Sequence, residues 1–285
     1  MSAISPTAPA TAPSAPGRDA GGNSSLTVAA QMFAADFLKL RKKRGTLIWA
    51  LVLAVAPVLI YFVVSVIQHA SDPAKYGPAG GVHNFSEGLG VIALFFGPLA
   101  ALLIGVEAGT GDASVGVFRD LVVTGRSRVA LFASRVPAAL AMCCLVNGAA
   151  YALLLIGTFA FASNLPTPDA ALVFNSLGFA LLATGVLCVV AVGFASLTTS
   201  KPASIIALIA WQVVASPILA NIESLGGSRR ALLSQAIAHF SPVHVGSGGH
   251  GATVTLSQGT AVLVLVGWLA VFLALGAWRT ARMDA

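Results

Sequence analysis

The stretch TLIWALVLAVAPVLIYFVVSVI, residues 46–67, contains no charged side chain. At 1.5 Å per residue, a run of about 20 apolar residues is enough to cross a hydrocarbon core of roughly 30 Å. Working outward from it, comparable apolar runs occupy 89–108, 130–162, 171–198, 203–222 and 258–279. The third and fourth runs exceed the length of one crossing, which predicts tilt or extension beyond the lipid. Composition agrees, since 57% of the residues are hydrophobic and only 9% are charged, with a mean hydropathy of +0.88. The expected fold class is therefore all-α, a polytopic membrane protein with six transmembrane helices.

Lys and Arg divide unevenly between the connections. One set holds Lys39, Arg41, Lys42, Lys43, Arg44, Arg119, Arg126, Arg128, Arg135, Lys201, Arg279 and Arg282, and the other only Lys75, Arg229 and Arg230. By the positive-inside rule the richer set is cytoplasmic, so both termini are expected inside and the chain in the cytoplasmic membrane. The net charge of +6 is accounted for by this bias and by anionic lipid of the inner leaflet, with no nucleic-acid partner implied.

Residues 1–25 are rich in Ala, Pro, Ser and Gly and read as a disordered cytoplasmic tail. They lack the basic region followed by an apolar stretch that marks a secretory signal. The stretch that follows, 26–44, places Leu26, Phe33, Phe37 and Leu40 on one helical stripe and ends in a basic cluster. That pattern predicts a helix lying in the inner-leaflet interface, with a cytosolic extension of the first span as the alternative.

Between the second and third spans lies GVFRDLVVTGRSR, Gly116 to Arg128. On a helical wheel Val115, Phe118, Leu121 and Val122 share one face, with Asp120 opposite and Arg119 at the edge. Such an oily stripe must bury against lipid, against the protein's own helix ends or against a partner. Nothing in the chain resembles the GxxxxGK[ST] phosphate loop, HExxH or GxSxG. Cys143, Cys144 and Cys188 fit small buried apolar positions. All five histidines, His69, His83, His239, His244 and His250, fall in expected outer connections. Solvated or interfacial histidines are the simpler reading, and no metal site is expected. Pro57, Pro98, Pro137 and Pro217 lie in or at the ends of four spans and predict kinks. Asn147 and Gln212, near the middle of the third and fifth spans, need partners in hydrocarbon and so face another helix or line a substrate path. The connection 223–257 is expected to contribute one or two short helices that cover the outer end of the bundle as a re-entrant segment.

This arrangement resembles the permease subunits of ABC transporters of the type 2 exporter class, over about residues 26–283. The similarity rests on Glu107 at the cytoplasmic end of the second span, the amphipathic run over 112–124, and the arginines that open the third helix, Arg126, Arg128 and Arg135. Gly125 stands where the family commonly has proline, and Arg135 where lysine often stands. The resemblance implies that 112–124 is a coupling helix seated on a separate ATPase subunit through Val115, Phe118, Arg119, Leu121 and Val122. It also implies that ATP and Mg are bound by that subunit, so that the chain has no cofactor and no catalytic residue of its own. Two permease chains, identical or different, would frame the substrate path, and an apolar path favours an amphipathic substrate. Two other readings stay open from the residues alone. One is a self-sufficient secondary transporter or channel, and the other a membrane-embedded metal- or haem-handling protein.

Overall fold

The computed structural model describes residues 25–114, 127–243 and 255–282. Among these residues the chain is helical, with no strand. Helix α1 (Ser25–Lys42) leads into α2 (Arg44–Ser71), the first long apolar helix. The second is built from α3 (Gly81–Gly90), a π-helical stretch Val91–Phe96 and α4 (Gly97–Ser114). Single helices α5 (Arg128–Ala160) and α6 (Ala170–Thr198) supply the third and fourth. The fifth runs through α7 (Lys201–Ile209), a π-helical stretch Ala210–Ala215 and α8 (Ser216–Asn221). A 3-10 stretch (Glu223–Ala231) and the short α9 (Leu233–Ala238) precede α10 (Gln258–Arg282), the sixth. Six helices are thus long and apolar enough to cross a membrane.

Their ends fall close to the apolar runs of the sequence, with one instructive exception. The second helix begins at Gly81 rather than near 89, because the polar turn His83–Glu87 is helical as well. Gly81 adopts φ +84°, a left-handed conformation that a Cβ would strain, and a Cβ there would approach Leu165 Cβ to 2.9 Å. The Val82 N–H donates to the Pro166 carbonyl at 2.9 Å, fastening this end to the connection between the third and fourth spans.

The second and fourth spans form the centre, each with 67% of its apolar window buried, against 22%, 22% and 17% for the first, fifth and sixth. Close approach explains the pairing. A Cβ on Gly105 would lie 2.5 Å from the Cys188 carbonyl oxygen, and one on Gly109 2.7 Å from Ala195 Cβ. Glycines four residues apart expose one strip of bare backbone to a neighbouring helix, and in lipid such packing drives association. The Ser196 hydroxyl adds a bond to the Gly109 carbonyl at 3.4 Å across the pair.

The two π stretches share one cause. Each ends two residues before a proline, Pro98 or Pro217, which cannot donate to the helix ladder. The preceding N–H groups, of Gly97 and Ser216, reach back five residues to Ile92 and Trp211. Widening the turn relieves the clash of the ring with the preceding carbonyls without breaking the rod. Both stretches line one cavity of about 210 Å³ together with Gln212, Ser216 and Gln235.

Helix α1 is separate from the first span, the chain breaking at Lys43. It lies along the third span, where the Ser134 hydroxyl donates to Asp36 Oδ2 at 2.6 Å. Of its stripe, Leu40 is buried and Phe37 packs on the core, while Leu26 is exposed. At the same end Arg128 donates to the Ala281 carbonyl, so the start of the third span and the end of the sixth meet there.

Candidate functional site

A helix that must show glycines to one neighbour has its opposite side free for something else. Glu107 lies between Gly105 and Gly109, and two residues along a helix turn it about 200° from each, so it faces away from the fourth span. There its carboxylate is almost sealed, with 5% of the side chain exposed. Buried carboxylates need partners, and this one has three. Lys201 Nζ donates to Oε2, the Thr46 hydroxyl donates to Oε2 at 2.8 Å, and Lys43 Nζ stands 3.7 Å from Oε1. Lys201 Nζ also donates to the Thr46 hydroxyl oxygen at 3.1 Å. One carboxylate thus ties together the adjoining ends of the first, second and fifth spans.

Local backbone chemistry delivers each group. Lys43 is the break between α1 and the first span, and Thr46 lies in the first turn beyond it. Lys201 arrives through a tight reversal. Thr199 ends the fourth span in the left-handed region at φ +56°, Ser200 is extended, and Pro202 opens α7. A left-handed residue closing a helix is usually glycine, so this turn holds a strained threonine in the connection that carries the cation.

The other end of the second span carries a second polar cluster. The Tyr61 hydroxyl lies 2.9 Å from Asn84 Oδ1 and 3.2 Å from both the Asn84 carbonyl oxygen and Glu87 Oε2, so its single proton is shared among three acceptors. Asn84 in turn donates to the carbonyls of Pro78 and Gly80 at 2.8 and 3.0 Å. His83 Nε2 is 3.3 Å from Glu87 Oε1 on the exposed side of the helix.

Of the residues singled out by the sequence, Val115, Phe118, Arg119, Leu121, Val122 and Arg126 lie outside the described residues, as does most of 112–124, together with the tail 1–24. Arg135 is buried in the third span, and Arg128 heads that span. Asn147 and Gln212 are not brought together. Asn147 is 1% exposed, its amide N–H donates to the Cys143 carbonyl of its own helix at 3.1 Å, and Oδ1 has no partner. Gln212 lines the cavity beside the two π stretches. Of the connection 223–257, residues 223–243 and 255–257 are described. Its Leu233 and Ile237 are buried in the core, and the Trp268 indole N–H donates to the Ala231 carbonyl at 3.0 Å.

The described histidines have separate neighbours. His69 Nδ1 donates to the Tyr76 carbonyl at 2.7 Å, His83 faces Glu87, and the His239 ring meets Phe240 edge-on. His244 and His250 lie outside the described residues. Among the described residues no three His, Cys, Asp or Glu side chains are grouped to hold a metal.

Sequence reasoning misses the partners of Glu107: Lys201 and Lys43 stand in the sequence only among the topogenic charges, and Thr46 carries no signal. The Gly105–Gly109 spacing is the visible mark of the close helix pair, since small residues four apart can be seen in any sequence. No protein-family model and no curated protein matches the chain.

Proposed function

We propose that the chain is the membrane-spanning permease subunit of a type 2 ABC exporter. It sits in the cytoplasmic membrane with both termini inside and α1 in the inner-leaflet interface. It pairs with a second permease chain, and the two move an amphipathic or apolar substrate at the expense of ATP hydrolysed, with Mg, on a separate ATPase subunit. The observation that carries this reading is the amphipathic, arginine-bearing run Val115–Arg128 placed between the second and third spans. Glu107 lies two helical turns before the second span gives way to that run, and it binds the adjoining ends of the first and fifth spans. A push on the run is therefore passed to three spans through one buried carboxylate.

The test is replacement of the aromatic anchor. Phe118→Asp puts a charge where a protein interface excludes water, at a cost on the order of several kcal/mol. The variant is expected at normal level in the membrane, because the segment is outside the hydrocarbon and every span keeps its hydrophobicity. It is expected to lose copurification with the ATPase subunit, and with it ATP-dependent transport. Arg119→Ala should do less, since a rim charge contributes little beside a buried aromatic. Full recovery of the ATPase with Phe118→Asp, together with normal transport, excludes the coupling role.

A further inference from the structure

A cavity of about 870 Å³ lies between the first span and the outer half of the second, in the size range of small-molecule sites. Its walls are graded. Along the first span the lining stripe begins with Val52, Ala56 and Ile60 and ends with Tyr61, Ser65 and Gln68. The facing wall repeats the gradient, with Phe96 and Val91 at the deep end and Glu87 and Asn84 at the outer end. From Val52 to Gln68 the stripe is about 24 Å long, close to one leaflet of a bilayer about 40–45 Å thick with its headgroups. The groove thus has the length and polarity profile of one amphiphile standing in one leaflet.

The rim carries both signs of charge. Glu87 is half-exposed, with Tyr61 and His83 on its two oxygens. On the connection that closes the outer end stands Lys75, its ammonium 5.1 Å from the centre of the Tyr76 ring and in no ion pair among the described residues. A head bearing an ammonium and a phosphate matches both charges.

We propose that this groove binds one lipid-like amphiphile with a zwitterionic head, its chain along Val52–Ile60, its ammonium at Glu87 and its phosphate at Lys75. The proposal does not rest on the transport reading, since it concerns binding by this chain alone.

Equilibrium binding of radiolabelled palmitoyl-lysophosphatidylethanolamine to the purified full-length chain in detergent tests it, with palmitoyl-lysophosphatidylglycerol as the comparison. One saturable site per chain is expected. Ala56→Trp, which fills the deep end, should weaken both lipids by about tenfold or more, whereas Leu59→Trp, on the exposed side of the same helix, should change neither. Glu87→Gln should weaken the ethanolamine lipid about fivefold and leave the glycerol lipid unchanged. Thermal unfolding of each variant identifies any that fails to fold, and Glu87→Gln decides the matter if Ala56→Trp does not fold. Unsaturable binding, equal binding by folded Ala56→Trp, or a Glu87→Gln effect shared by both lipids overturns the proposal. So does disulfide cross-linking between copies through Ile60→Cys that the lipid leaves undiminished, which places a second copy in the groove.

Discussion

Glu87 and Glu107 lie on the same span, roughly 30 Å apart along its axis, which is the thickness of a bilayer core. One is 53% exposed and held by a phenol and a histidine; the other is 5% exposed and held by two lysines and a threonine. The difference follows from what the rest of the helix is doing at each level. Around Glu107 the glycine strip draws the fourth span close, and the first and fifth spans close over the other side. Around Glu87 the first span stands off, leaving the graded groove. A carboxylate sealed among three helices is a structural tie, whereas one at the rim of a groove remains available to something outside the protein.

The comparison breaks most strongly if the sealed end is forced open. Gly105→Leu drives a side chain into the backbone of the fourth span, and overpacking of this kind costs about 3 kcal/mol. The fraction of protein surviving a denaturing-detergent titration should fall accordingly.

Glu107→Ala comes next, with an expected loss of about 2 kcal/mol in the same titration. That is less than for a fully buried pair, because Lys201 is 40% exposed and regains water. The double variant with Lys201→Ala should lose less than the sum of the two single ones, since no unmatched ammonium is left behind. Strict additivity would mean that the two groups do not act as a unit.

At the open end, Glu87→Gln should change stability by no more than about 0.5 kcal/mol, as for exposed pairs. A loss comparable to that of Glu107→Ala would show that the Glu87 cluster is also a structural tie and erase the contrast.

The spans were legible because a bilayer imposes a length on any apolar run that crosses it. The start of the second was not, because His83, Asn84 and Glu87 lower its hydropathy while Tyr61 and the 78–80 carbonyls satisfy them in three dimensions. Glu107 stood out in the sequence through resemblance, but its partner did not. Lys201 is one cation among many until the left-handed turn at Thr199 brings it over. The prolines signalled kinks, and the outcome at Pro98 and Pro217 is a widened turn, which hydropathy does not register. Asn147 and Gln212 looked alike in a linear reading, yet one is enclosed by its own bundle and the other borders a cavity.

The pairing of the second span with the fourth also sets a timetable for biosynthesis. Each of the six helices is long and apolar enough to cross a membrane by itself. The centre cannot close at that stage, because the backbone that Gly105 and Gly109 contact runs from Cys188 to Ser196 and has not been made. Before the fourth span is made, the strip on the second has nothing to cover it and Glu107 has no Lys201. The fifth span then brings that lysine, and the sixth is added to a bundle whose middle is already in place.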